Sequence, residues 1–147
     1  QFNMSPYASF MQETKVTLGN GIELHVEMGG NPEHPTILLV MGLGAQMLFW
    51  PDFFCKTLID QGFRVVRFDN RDIGLSSKIR NKGLRLNKMK LMSRFMFGLG
   101  NEGAPYTLYD MADDVVMLLD QLGIEKTYII GASMGGMISQ IVAAKHP

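Results

Sequence analysis

The sequence predicts an α/β fold, a mostly parallel sheet with an antiparallel edge hairpin and helices on both faces. Three observations carry this. Thr36 to Met41 is a continuous apolar run of the kind required by a strand covered on both sides. Strand-like and helix-like stretches then alternate, the order that generates a parallel sheet with crossover helices. Finally, Lys126 to Ile130 is another short, largely apolar run, and it leads through Gly131-Ala132-Ser133-Met134-Gly135 directly into a helical pattern.

The elements follow in order. From Ile22 to Met28 the chain alternates strictly, with Ile22, Leu24, Val26 and Met28 on one side and Glu23, His25 and Glu27 on the other, so a half-exposed strand with a solvated polar face is expected. Asn20-Gly21, preceded by Val16 and Leu18, predicts a hairpin at the sheet edge. Gly29-Gly30-Asn31-Pro32 turns the chain into the strand from Thr36, and a glycine loop, Gly42 to Phe49, leaves that strand. Trp50-Pro51-Asp52 opens a helix, with proline in the first turn and a carboxylate near the positive end of the dipole, and Gly62 stops it. Trp50 is read as core packing. Phe63 to Phe68 forms the next strand. Thr107-Leu108-Tyr109-Asp110 has capping-box spacing, with aspartate in the usual place of glutamate, and starts a helix that runs to Gly123. The strand before Ser133 is expected to be buried on both faces, and Met137, Ile138, Ile141, Val142 and Lys145 mark the helix after it.

Composition bounds the function. At 147 residues and 46% hydrophobic, the chain can bury a sizeable core as one domain. Its 14 basic and 14 acidic residues cancel, so no overall field draws it to nucleic acid. Cys55 has no cysteine to pair with and lies in an apolar helical stretch, which fits a small buried hydrophobe in a reducing, cytoplasmic setting. No apolar run reaches the roughly 18 residues of a membrane span, and the first residues lack the charged-then-apolar layout of a signal peptide. Lys78, Arg80, Lys82, Arg85, Lys88, Lys90 and Arg94 form a basic stretch with no acid between Asp72 and Glu102, so 78–105 is read as an insertion-like segment. It is expected to be a solvated helix, the alternative being an amphipathic cover for a pocket mouth or a lipid contact. Membrane contact is not expected.

Gly131 to Gly135 carries the chemistry. A bare G-x-S-x-G arises by chance in roughly one chain of this length in twenty, so its context decides. Strand, serine turn and helix occur in the order of a nucleophile elbow, in which a strained turn lifts the serine above the carboxyl edge of a parallel sheet. Glycines at 131 and 135 allow the strand and helix to cross closely. A nucleophilic serine needs a base, an acid and oxyanion donors. The backbone amides of Met134 and, in the loop Met41-Gly42-Leu43-Gly44, of Leu43 are the expected donors. The base is missing. His25 is read as solvated among glutamates, and His34 lies in the turn feeding the strand from Thr36, at the opposite sheet end. His146 ends a helix of about 1.5 Å rise per residue, roughly 20 Å from Ser133. Asp110, Asp113 and Asp114 are read as helix-start charges and Asp69 as a structural residue at a strand end, so no acid is assigned.

Taken together, Gly131 to Gly135, Leu39-Val40-Met41-Gly42-Leu43-Gly44, the stretch from Arg67 to Ser76, and Tyr106 to Asp114 make the chain resemble the amino-terminal half of an α/β-hydrolase-fold serine esterase. The similarity is greatest to the branch of aclacinomycin methylesterases. Two positions depart from the pattern of many relatives that the resemblance implies: Met41-Gly42 stands in place of His-Gly, and Arg71-Asp72 stands in place of Arg-Gly. The first bears on a loop-stabilising hydrogen bond while the backbone donor survives, because an amide does not depend on its side chain. The resemblance implies that residues 1–147 are the amino-terminal portion of one hydrolase domain, with lid, later strands, triad acid and histidine in a remaining carboxyl-terminal part. It implies a small-molecule ester substrate, no cofactor and no metal, and no turnover by the chain alone. Peroxide-dependent acyl transfer on the same residues, or a hydrolase fold retained for ligand binding, are the alternatives.

Overall fold

A computed structural model describes residues 3–4, 10–42, 46–76 and 106–147. The insertion-like segment 78–105 and Leu43 lie outside the described residues.

The strands are β1 (Asn3–Met4), β2 (Gln12–Thr17), β3 (Glu23–Gly29), β4 (Thr36–Val40), β5 (Arg64–Phe68) and β6 (Thr127–Gly131). They form one mixed sheet in the order β1-β2-β3-β5-β4-β6. β5, β4 and β6 run parallel, and β1, β2 and β3 add an antiparallel side. The predicted hairpin joins β2 to β3: Gly21 adopts φ +84°, and the Leu18 amide donates to the Ile22 carbonyl at 2.8 Å. Three helices complete the chain, α1 (Asp52–Asp60), α2 (Leu108–Gln121) and α3 (Met134–Lys145).

Side-chain alternation along β4 sorts the core into two layers. Leu38 and Val40 pack with Val66, Phe68, Met111, Val115, Leu118, Ile138 and other residues beneath α2 and α3. Ile37 and Leu39 face the opposite layer, where Trp50, Cys55 and Val65 lie under α1. Leu38 and Leu39 are wholly buried, each contributing about 1.5–3 kcal/mol through burial. The helices start as predicted. The Thr107 amide donates to Asp110 Oδ2 at 2.7 Å while the Asp110 amide donates to Thr107 Oγ1 at 3.2 Å, so both halves of the capping box are made. Gly62 and Gly123 adopt positive φ just beyond α1 and α2. Cys55 is buried, and burial pushes its thiol pKa up.

The polar face of β3 is solvated only at Glu23, at its start. His25 and Glu27 are buried because β3 is held between β2 and β5, and its polar residues find partners inside the protein. Arg67 on β5, the register partner of Glu27, donates from Nε and Nη2 to Glu27 Oε2 at 2.9 and 2.6 Å. It also donates from Nη1 to the Trp50 carbonyl at 2.8 Å, tying the sheet to the start of α1. The second correction concerns β6. It pairs only with β4 among the described strands, and Tyr128 and Ile130 are exposed because no described element covers that face.

Candidate active site

Ser133 occupies the turn between β6 and α3 with φ +54° and ψ −125°. A serine there stores strain on the order of 1–3 kcal/mol, which persists only where the surroundings fix it. They do so through the backbone. The Ala132 amide donates to the Val40 carbonyl at 3.0 Å, the Gly135 amide to Ala132 at 2.8 Å and the Gly136 amide to Ser133 at 2.9 Å. Both flanking glycines are required by contact. A Cβ on Gly131 would overlap the Gly135 carbonyl and lie 2.6 Å from Ser139 Oγ, and one on Gly135 would overlap the Val40 carbonyl. Ser133 itself is exposed.

The loop after β4 converges on this turn. A Cβ on Gly42 would stand 3.2 Å from Ser133 Cβ and 3.3 Å from the Met134 nitrogen, so the Gly42 backbone borders the serine directly. The Met134 amide opens α3, and no described residue accepts its hydrogen. Of the two amides expected as donors, that of Met134 stands at the positive end of a 12-residue helix, and Leu43 lies outside the described residues.

None of the histidines is brought to Ser133. His34 is exposed in the turn before β4, and His146 is exposed at the end of α3. His25 lies at the same end of the sheet as Ser133 but on β3, three strand spacings from β6, or about 14 Å. Both of its ring nitrogens are engaged: Nδ1 is 3.4 Å from Asp69 Oδ2 and Nε2 is 3.1 Å from Glu13 Oε2. The hydrogen bond to Asp69 outweighs burial and, with Glu13, raises the imidazole pKa above its ordinary value.

Asp69 is the structural residue expected, with more partners than a strand end suggests. The Met47 amide donates to its Oδ1 at 2.9 Å and the Leu75 amide to its Oδ2 at 3.3 Å. Asp114 is a correction: not a dipole charge but a buried acceptor for Arg71, whose Nε and Nη2 each donate at 2.7 Å, with Asn20 Nδ2 adding a third bond at 3.0 Å. Asp72 adopts φ +66°, the left-handed region that favours glycine. Tyr106 is linked to it: burial, then a hydrogen bond with Asp72, drives the phenol pKa up. The Arg71 guanidinium lies 5.1 Å from the centre of the Tyr106 ring. For the Glu27–Arg67 pair one signal is visible in the sequence, a charged residue set inside each of two otherwise apolar strand segments. No group of acids, histidines and cysteine suited to a metal occurs among the described residues.

A strained, exposed serine between crossing glycines on such a sheet defines a class, and the comparisons agree with it. The chain belongs to the α/β hydrolase fold family, whose sequence model matches residues 35–147. It is 28% identical over 134 residues to rhodomycin D methylesterase DauP of Streptomyces sp. strain C5, covering 91% of this chain and 38% of that protein. It is 32% identical over 136 residues to the putative carbamate hydrolase RutD of Caulobacter vibrioides, covering 90% of this chain and 41% of the relative. Among solved structures, Cfl2 from Burkholderia cenocepacia matches the whole chain and 41% of its own with a TM-score of 0.76; at 21% identity the likeness is one of fold. The chain spans about two fifths of the length of these relatives.

Proposed function

We propose that this chain is the nucleophile-bearing part of a serine hydrolase that cleaves carboxylic esters of small molecules through an acyl-enzyme. The observation that carries the reading is Ser133, exposed and strained, with the Gly42 backbone and an unengaged Met134 amide beside it. Relatives named for methyl ester and carbamate hydrolysis support it.

In this reading Ser133 Oγ attacks the ester carbonyl carbon and gives its proton to a histidine base. The carbonyl oxygen becomes an oxyanion held by the amides of Met134 and Leu43. Collapse expels the alcohol, which takes up that proton, and leaves the acyl group on Ser133 Oγ; water then releases the acid by the same route. His25, His34 and His146 are placed away from Ser133, so base and acid come from sequence beyond these residues, and the 147-residue chain alone does not turn over esters. The outer edge of β6 receives a further strand from that remaining part. Buried, unpaired Cys55 fits a reducing, cytoplasmic setting. Among the described residues no helix is long and apolar enough to cross a membrane.

The test uses the complete protein and a fluorophosphonate probe. Labelling is expected in the native protein and is lost on Ser133→Ala. Labelling that survives the substitution assigns the nucleophile elsewhere.

A further inference from the structure

Met41 and Gly42, which follow the end of β4 and border Ser133, have a backbone that is held in place. Two side chains at the end of β5 account for this. Asn70 Nδ2 donates to the Met41 carbonyl at 2.9 Å, and Asp69 Oδ1 accepts from the Met47 amide at 2.9 Å. Adjacent residues therefore hold Met41, just past the end of β4, and Met47, at the start of the Met47–Phe49 helical turn. The held backbone is the one that touches the nucleophile. Gly42 lies against Ser133 and Met134 on one side, and Gly135 packs so closely on Val40 and Met41 that a Cβ there would stand 2.9 Å from the Met41 carbonyl carbon. The Met41 peptide is thus fixed between Asn70 and the elbow.

Asp69 is itself fixed. His25 Nδ1 and the Leu75 amide approach its Oδ2, its own amide donates to the His25 carbonyl at 3.0 Å, and the Ser76 hydroxyl donates to its carbonyl. Gly74, at φ +51°, has room for no Cβ because the Asp69 carboxylate fills that space. The carboxylate is buried, where a loose acceptor would be costly and a satisfied one is rigid.

We infer that Asn70 and Asp69 are positioning residues for the reaction at Ser133: from the end of the neighbouring strand they hold the Met41 carbonyl and the Met47 amide, and so set the Gly42 backbone beside Ser133 and the Met134 amide. His25, bridging Asp69 to Glu13, orients the Asp69 carboxylate. The inference rests on the serine-hydrolase reading and deepens it. Removing the Asn70 donor leaves the Met41 carbonyl free to turn and shifts the Gly42 backbone relative to Ser133 and the Met134 amide.

The experiment takes the complete protein in three forms, native, Asn70→Asp and Asn70→Ala. The first variant keeps the shape and loses the donor, and the second loses it without adding charge. A cooperative thermal transition confirms folding in each. Expected are a Met47 amide protected from hydrogen exchange in the native protein, and variants whose kcat on a p-nitrophenyl ester and Ser133 phosphonylation rate both fall by about tenfold to a hundredfold. KM should stay within about threefold. Rapid exchange of the native Met47 amide overturns the inference, as does a folded variant that keeps native kcat or changes only KM. A native protein whose Ser133 does not react with the phosphonate overturns the hydrolase reading instead, and it shows before any variant is made.

Discussion

Gly135 and Gly136 are neighbours in the first turn of α3, yet alanine should act on them in opposite directions. At Gly136 an added Cβ meets nothing nearer than the Gly131 carbonyl oxygen at 3.6 Å, an ordinary contact, so Gly136→Ala gains the helix preference of alanine, about 1 kcal/mol. At Gly135 the same methyl overlaps the Val40 carbonyl oxygen and lies 2.7 Å from its carbon. These are backbone atoms of a central strand and cannot step aside as a flexible side chain would. Overpacking of this kind costs about 3 kcal/mol at the upper end of its usual range, against the same gain of about 1, for a net loss near 2 kcal/mol. The two variants should therefore differ by about 3 kcal/mol in urea denaturation of the complete protein. Because α3 has to lift from β4 to admit the methyl, Ser133 is displaced, and fluorophosphonate labelling of Gly135→Ala should slow by about tenfold or more. Gly136→Ala should label at close to the native rate. Urea midpoints that move together, in the same direction and by the same amount, would refute the reasoning, since they would mean that the elbow is not wedged against β4.

Two further outcomes follow from the buried charges. Glu27→Ala leaves the Arg67 guanidinium with half-exposed Asp52, at 3.2 Å, as its remaining carboxylate, and should cost about 3–5 kcal/mol in urea denaturation. Replacing both partners, Glu27→Leu with Arg67→Met, should cost much less; a single variant within about 1 kcal/mol of native would show that the pair is not needed. His25 gives a pH signature. Its folded pKa is raised above the ordinary 6.5 by Asp69 first and Glu13 second, so the stability it adds is fully present below 6.5 and fades as pH rises through the folded value. Lys15, its partner across β2, pairs with Glu23 and leaves those carboxylates to the imidazole. The destabilisation by His25→Gln should therefore be larger at pH 5.5 than at pH 8.5, and equal values would count against an imidazolium at this site.

Much of the fold was legible because local patterns and tertiary demands agree. The apolar run at Thr36, the hairpin at Asn20-Gly21, the Thr107 box and the glycines around Ser133 each reflect a constraint acting within a few residues: solvent exclusion, turn dihedrals, orphan amides, backbone crossing. The misreadings share one cause. His25 and Glu27 read as solvated, and Asp114 as a helix-start charge, because ionisable groups usually face water, and their burial depends on partners 12 to 43 positions away, Glu13 for His25, Arg67 for Glu27, Arg71 for Asp114. Periodicity carries no information about such pairing. Exposure of Tyr128 and Ile130 on β6 escaped it for the same reason, since an apolar run states what a strand can bury and not what covers it.

The sequence by itself determined that Ser133 stands in a tight strand-to-helix turn between glycines and that none of the three histidines lies beside it, because the turn is a local device and three histidines can be placed by element. Only the tertiary structure decided what holds the facing loop. Met41 and Met47 are secured by Asn70 and Asp69, more than 20 positions along the chain, and that choice follows from β5 lying beside β4 in the sheet, an adjacency fixed by strand pairing.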